Sequence, residues 1–263
     1  MHIVTLTGAT PDTAARVEVD AGGNVAWGDA PTVVNPWDEY AIEEAIRLKE
    51  QHGGAVTALA VGPELDNDAL KHAVAMGCDA PLRVWDDALA ATDAFGLARA
   101  AAAAIQQMNE PASLLITGKE AVDANTDALH LGLARKLGWP ALTFVSRIVE
   151  IDPGGGRIKV ERLVEEGRQI VTSTLPAVVS VVKDINEPRY PSFKGVRLAQ
   201  RTPIPVKSLA DLGLSAGDVA PRTRRTALTN PPPRAVTLEL IQAESVEAAA
   251  AALVEKLVAE GVV

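Results

Sequence analysis

Across the first half of the chain, apolar positions gather into short unbroken runs separated by stretches with a helical period. His2 to Leu6, Ala55 to Val61, Leu82 to Trp85 and Leu114 to Thr117 are runs of the length and composition of strands buried on both faces. Three predicted helices lie between them and a fourth follows the last. Asn35 is placed to cap the first, with Pro36 at its first position, Asp38 and Glu39 in its first turn, and apolar Tyr40, Ala41, Ala45, Ile46 and Leu48 carrying it to about Gln51, before Gly53-Gly54 stops it. The second runs from Asp66 to about Met76, with Gly77 as its stop. The third is an alanine-rich segment capped at Thr92-Asp93 and reaching about Met108; the fourth, Asp123 to Leu137, ends at Gly138. Strand and helix in alternation predict an α/β fold, a parallel sheet with helices on both faces, and such sheets bind ligands beyond the carboxyl ends of their strands.

Later the period changes from helical to two. Thr143 to Ile151 starts an antiparallel part. Val160 to Val164 and Arg168 to Thr174 flank Glu165-Glu166-Gly167 and read as a hairpin, with Gly167 supplying the backbone freedom of a tight turn. Ala177 to Val182 is another buried strand, and Lys183 to Pro191, with two prolines, is an exposed polar loop. Near the start, Val17 to Val19 and Asn24 to Trp27 bracket a small hairpin, and Thr7 to Asp12 reads as a turn.

Past Pro191 the pattern weakens. Phe193 to Pro205 mixes basic and apolar residues, Ser208 to Leu212 is a short helix, and Asp218 to Pro233 is rich in Arg and Pro without periodicity. Val236 to Leu240 reads as extended, and Ser245 to Glu260 as an amphipathic helix with Val246, Ala250, Leu253, Leu257 and Val258 on one side. Two regions are therefore expected: an α/β domain over residues 1–190, and a partner-recognition loop with an extended C-terminal arm ending in a helix over 191–263.

Charge and cysteine usage narrow the function classes. Of 263 residues, 34 are acidic and 25 basic, and a net charge of −9 argues against nucleic acid as the main partner. No apolar run reaches the ~18 residues of a membrane span, and a strand begins at His2, so a cytoplasmic protein without a signal peptide, not embedded in a membrane, is expected. The single cysteine, Cys78, leaves no internal disulfide and no thiolate metal cluster. Phosphate-loop, dinucleotide-fingerprint, zinc-protease and nucleophile-elbow motifs are all missing, no catalytic set stands out, and Glu43-Glu44 reads as an ordinary solvated acid pair. What suggests a ligand lies at strand ends: Asn35 and Asp38 opening a helix, Val61-Gly62 ending a strand, and Gly118 to Ala128 linking strand to helix. Helix N-termini and glycine-lined backbone suit phosphate and sugar, although the same residues also serve as ordinary caps and turns.

A resemblance sharpens this. Val160, Arg162, Glu165-Glu166-Gly167, Gln169, Val171, Pro176 and Val178-Val179-Ser180, followed by Asn186-Glu187-Pro188-Arg189-Tyr190, resemble the conserved blocks of the electron transfer flavoprotein β subunit, the FixA-like family. Asn35-Pro36-Trp37-Asp38-Glu39 with Ala41, Glu43-Glu44-Ala45 and Arg47 to Glu50 is similar to another block; so are Val61-Gly62-Pro63, Ala75-Met76-Gly77, and Gly118-Lys119 with Ala121, Asp123, Leu137 and Trp139-Pro140. The resemblance spans nearly the whole chain. It implies a nucleotide-binding domain of the adenine nucleotide α-hydrolase-like kind and an electron carrier subunit instead of an enzyme. FAD would be held mainly by a partner α subunit, and AMP, or a second FAD as in electron-bifurcating members, would sit in this subunit. The residues it implies for that nucleotide are Leu6, Asn35, Asp38, Val61, Gly118, Ala121, Val122, Asp123, Asn125, Thr126 and Asp127. Implied partners are the α subunit, acyl-CoA or other flavin dehydrogenases as donors, and electron transfer flavoprotein–quinone oxidoreductase as acceptor. Phe193 stands where the family presents an aliphatic anchor to the dehydrogenase.

Departures from the pattern bear on the nucleotide. Ala128, Leu129 and His130 replace the family's polar Gln and Gly at the helix start, and Asp127 adds an acid, which weakens phosphate binding; His130 offers partial compensation. Thr7-Gly8 replaces an early Val-Lys, Thr13 an aromatic near the flavin, and Leu198 to Thr202 a lysine-rich run. Two other readings compete. A stand-alone nucleotide-binding regulatory domain would have little use for residues 191–263, and a nucleotide-cleaving enzyme of related fold would need a Ser-Gly-Gly loop after the first strand.

Overall fold

A computed structural model describes residues 1–124, 128–232 and 238–262. The chain divides into two compact units, Met1–Ala227 and Leu228–Val263. In the first, β1 (His2–Leu6) is followed by β2 (Ala9–Pro11), β3 (Glu18–Val19), β4 (Val25–Ala26) and β5 (Thr32–Val34). Then come α1 (Pro36–His52), β6 (Ala55–Val61), α2 (Asp66–Met76), β7 (Ala80–Val84), α3 (Ala94–Gln106), β8 (Leu114–Gly118) and α4 (Leu129–Leu137). The later half adds β9 (Ala141–Asp152), β10 (Arg157–Val164), β11 (Gly167–Thr174), β12 (Ala177–Val181), α5 (Phe193–Arg201) and β13 (Val206–Lys207).

Among the described residues nine strands form one sheet in the order β11-β10-β9-β12-β8-β1-β6-β7-β13. From β9 to β13 every neighbouring pair is parallel; β10 and β11 extend the sheet antiparallel on the far side of β9. The α/β class and the antiparallel hairpin expected from the sequence are both present. Alternation along each strand divides the core. Ile3, Leu114, Ile116, Ala177 and Val179 pack with α1 and α2 on one face. Val4, Leu115 and Val178, one residue out of phase, pack with α3 and α4 on the other. Each fully buried Leu or Ile here contributes about 1.5–3 kcal/mol.

Several local expectations are revised. Thr7 to Asp12 is no simple turn: Ala9–Pro11 pairs with Thr32–Val34, a contact that a three-residue segment cannot announce by periodicity. Helix α4 starts at Leu129, not at Asp123, because residues 121–124 form a tight turn closed by Ala124 N–H donating to Ala121 O at 3.2 Å. Phe193 to Arg201 is helical, with the Ser192 hydroxyl accepting from Gly195 N–H at 3.0 Å as its cap. β13 adds a strand at the sheet edge, and the segment expected as a helix from Ser208 is a single 3-10 turn, Ala210–Leu212. Because α5 packs on α2 and β13 pairs with β7, the first compact unit continues well beyond residue 190.

Glu43 and Glu44 are not a solvated pair. Both are buried, since they face the loop after β12 instead of water. Asn186 Nδ2 donates to Tyr40 O at 3.0 Å and to Glu44 Oε2 at 3.1 Å; Arg189 reaches Glu43 at 2.8 Å and Glu50 at 2.7 Å. Burial lifts the Glu44 carboxyl, against the pull of Asn186 and Arg47.

The second unit contains α6 (Val246–Ala259), capped by the Ser245 hydroxyl, which accepts from Ala248 N–H at 3.2 Å. None of its residues is buried, and Val246, Leu253, Val254 and Val258 are exposed. Among the described residues no helix is long and apolar enough to cross a membrane.

Candidate functional site

The chain crosses the sheet in a way that opens a crevice. From β1 it moves outward through β6 and β7, then returns past β1 to β8 on the other side, so helices leave neighbouring strand ends toward opposite faces. At such a reversal the carboxyl ends of strands are not covered by a crossing helix. A cleft of about 780 Å³ lies there, at the ends of β1, β6 and β8. Its size falls within the range of small-molecule sites, about 300–1,000 Å³.

Leu6, Asn35, Asp38, Val61, Gly118, Ala121 and Asp123 all line this cleft. Val122 does not; its N–H donates to Asn35 Oδ1 at 3.3 Å. Asn125, Thr126 and Asp127 lie outside the described residues.

Asn35 behaves differently from the helix cap expected of it. No side-chain cap bond to α1 forms. Instead its Nδ2 donates to Glu120 O at 2.9 Å while its Oδ1 takes the Val122 N–H, so the amide clamps the loop after β8 onto the start of α1. The donor and the acceptor of one amide are both used, which an ionised Asp, an acceptor only, could not match. Gly118 makes this approach possible: a Cβ there would stand 2.6 Å from Trp37 Cβ and 2.7 Å from Asp38 Oδ1.

Two carboxylates hold the loop after β1. Gly8 N–H donates to Asp38 Oδ2 at 3.1 Å, and Ala9 N–H to Asp66 Oδ1 at 2.9 Å. Asp66, the first residue of α2, thus serves a distant backbone. Burial pushes the Asp38 carboxyl up to about 8, against the pull of the Asn35 amide and the Gly8 and Gly118 N–H groups. Asp66 and, at the rim, Asp123 are raised by the same cause. Near neutral pH Asp38 therefore holds its proton and can donate a hydrogen bond.

Four lining residues carry buried polar atoms with no hydrogen-bond partner among the described residues: Thr7 Oγ1, Thr10 Oγ1, Thr117 Oγ1 and His130 Nε2. Burial lowers the His130 pKa, which favours the neutral ring. Unpaired buried groups cost about 1–3 kcal/mol each, and four at one cleft could be satisfied by a polar ligand. The cleft's cations are few. Lys119 stands 4.5 Å over the Trp37 ring and pairs with Glu120 at 2.7 Å. The other among the described lining residues is Arg225.

Arg225 arrives on a strap missed by sequence reasoning, because nothing periodic marks it. The Thr92 hydroxyl donates to Val219 O, Arg99 pairs with Asp218 at 2.8 Å, and Asp93 Oδ2 accepts from Arg222 N–H at 2.7 Å and Thr223 N–H at 2.8 Å. Burial works against ionised Asp93, but these N–H donors, with the Gly96 N–H and the Thr223 hydroxyl, bring its carboxyl down to about 2. Pro221, Thr223 and Arg225 then line the cleft. Asp93, read as a helix cap, does cap α3 through Phe95 and Gly96 N–H groups, and it holds the strap with its second oxygen.

Away from the cleft, Phe193 opens α5 and is 79 % exposed, with the Arg197 guanidinium 5.7 Å from its ring centre. The loop leading to it is fixed on α1 by Asn186 and Arg189. Among the described residues no cluster of three or more His, Cys, Asp or Glu could hold a metal ion. Cys78 is buried, and its thiol is pushed up to about 12 by that burial.

Comparison with known proteins adds a family. The Electron transfer flavoprotein domain matches residues 24–212. Protein FixA of Azotobacter vinelandii is 31% identical over 248 residues, covering 92% of this chain and 88% of the relative. The electron transfer flavoprotein subunit beta of Bacillus subtilis is 33% identical over 250 residues, 95% of each chain. The protein of that name from Mycobacterium tuberculosis is 36% identical over 224 residues, 83% of each.

Proposed function

The chain belongs to the electron transfer flavoprotein family, on the side of its β subunits and FixA proteins, and from that premise we propose that it is half of a heterodimeric electron carrier. An α subunit holds most of the FAD. Electrons enter from acyl-CoA or other flavin dehydrogenases and leave to a membrane quinone oxidoreductase. The flavin supplies the redox chemistry. This chain's part is to bind, orient and shield.

In its own cleft the chain binds an adenine nucleotide, AMP ahead of a second FAD. The observation that carries this is the group of unpaired polar atoms on Thr7, Thr10, Thr117 and His130 around a cleft at the sheet's reversal. The residues present fit such a ligand. Asn35, Asp38 and Gly118 offer polar and backbone contacts, Leu6 and Val61 an apolar surface for a base, and the protonated Asp38 a donor. A bound nucleotide would fasten the loop after β8, which Asn35 already holds, to the loop after β1.

The exposed apolar side chains of α6 support a role for the C-terminal arm as the contact with the α subunit. Phe193, opening α5 after a loop already ordered by Arg189 and Asn186, is the anchor offered to a dehydrogenase; pre-ordering lowers what docking costs.

Co-expression with a candidate α subunit, followed by denaturation and chromatography of the released cofactors, tests the reading. One FAD and one AMP per heterodimer is expected. Two FAD would mean a bifurcating carrier. A monodisperse, FAD-saturated preparation of this chain alone would overturn the pairing, and release of no nucleotide would overturn the assignment of the cleft.

A further inference from the structure

Charge in the cleft is distributed unevenly. The α1–α2 side contributes the buried carboxyls Asp38 and Asp66, with Asp123 at the rim close enough to act on Asp66. Glu120 is matched by Lys119, and Lys119 is further engaged by Trp37. Among the described lining residues no other cation stands on that side, and Arg83, which does not line the cleft, acts on Asp66.

The α3–α4 side differs. Helices α3 and α4 lie together, so closely that a Cβ at Gly132 would stand 2.9 Å from Ala98 Cβ. The strap is bound to the start of α3 through Asp93, Thr92 and Arg99. A Cβ at Gly96 would meet Val219 O at 2.5 Å, so the strap lies directly on the helix. Arg225 lines the cleft from this strap, exposed, and makes no ion pair or hydrogen bond among the described residues. His130, in the first turn of α4, brings a buried Nε2 without a partner to the same side. A guanidinium without a carboxylate of its own, and a helix start with an unpaired ring nitrogen lining the same cleft, are an arrangement suited to an anion.

We propose that Arg225 is the residue by which this cleft selects a ligand bearing an anionic group, a nucleotide over its nucleoside, with the strap pinned by Asp93 as the element that positions it. The proposal rests on the adenine-nucleotide reading of the cleft. It places the phosphate end toward α4 and the strap, where the cleft's unmatched guanidinium lies, and the uncharged base and sugar toward Asp38 and Asp66.

The test is calorimetric titration of AMP and of adenosine into the heterodimer after removal of endogenous nucleotide. The unaltered protein is expected to favour AMP at least tenfold. Arg225→Ala should abolish that preference while leaving adenosine binding and the melting temperature as they were, and Arg225→Lys should keep part of it. Arg224→Ala, at a neighbouring position that does not line the cleft, should behave as the unaltered protein does. Asp93→Ala, which releases the strap at Arg222 and Thr223, should reproduce the loss with Arg225 still present. The proposal is overturned if Arg225→Ala retains the preference, if it weakens both ligands equally, or if Arg224→Ala loses as much. Failure of the unaltered protein to bind either ligand would instead overturn the nucleotide reading on which the proposal stands.

Discussion

Replacing Asn35 separates two roles that its sequence position confounds. As a helix cap, Asn could be exchanged for Asp or Ser at almost no cost, since all three accept from the first turn. As the clamp observed, it donates to Glu120 O at 2.9 Å and accepts from Val122 N–H at 3.3 Å, with only 3 % of its surface exposed. Asn35→Ala removes both bonds and leaves a carbonyl and an N–H unpaired. At about 0.5–1.5 kcal/mol per lost bond plus the cost of stranded groups, a loss of about 2–3 kcal/mol is expected. For a domain of this size that lowers the melting temperature by roughly 4–12 °C. Asn35→Asp should be at least as damaging, because a carboxylate oxygen would face the Glu120 carbonyl beside the Asp38 carboxyl. Thermal melts and urea titrations of both variants read the stability, and cofactor analysis of the purified proteins reads the cleft. Asn35 is no clamp if Asn35→Asp melts with the unaltered protein while Asn35→Ala does not.

Three further outcomes can be checked. Gly118→Ala forces a methyl against Trp37 and Asp38 and should cost about 1–3 kcal/mol of stability together with bound nucleotide; Gly8→Ala, whose Cβ would meet only Asp66 Oδ1 at 3.9 Å, should cost little, and equal losses would contradict the packing argument. Asp38, raised from 3.8 to about 8, stays protonated when folded while its unfolded counterpart ionises, so its contribution to stability is complete below pH 3.8 and is lost as pH rises toward 8. Asn at this position cannot ionise, so Asp38→Asn should flatten the decline of stability between those pH values; an unchanged slope in denaturant titrations across the window would show that Asp38 ionises normally. Phe193→Ala should slow reduction by the cognate dehydrogenase at least tenfold with FAD content and melting temperature unchanged, whereas loss of stability with an unchanged rate would make Phe193 a structural residue.

What could be read from the sequence followed from residue pattern at short range. β1, β6, β8 and β12 are nearly continuous apolar runs, and α1 is bounded by Asn35-Pro36 and Gly53, so their periods and punctuation sufficed. That Asn35, Val61 and Gly118 reach one edge followed from strand–helix alternation. What could not be read joins distant segments. Ala9–Pro11 pairs with Thr32–Val34 through backbone bonds that leave no trace in side-chain pattern. Glu43-Glu44 looks like any helix surface until Arg189 and Asn186 are laid across it. Asp93 signals its cap to the residues just after it, but not the strap it holds from residues 222 and 223. Helix α5 was obscured because it is only nine residues long and carries Gly195 in its first turn, too short and too weak in propensity to stand out.

The place of β12 has a consequence for how the chain is made. It lies between β8 and β9 and is parallel to both, yet it is the last of the three to be synthesised. While the ribosome works at roughly 5–20 residues per second, β8 waits several seconds with its inner edge unpaired. Until Ala177–Val181 emerges, β8 is an open apolar edge, the kind of surface that recruits other chains. β9, β10 and β11 have no strand to join them to the rest of the sheet over the same interval. A chain ending before Val181 would keep that edge permanently, so truncated products should aggregate instead of persisting as a smaller cleft-bearing domain.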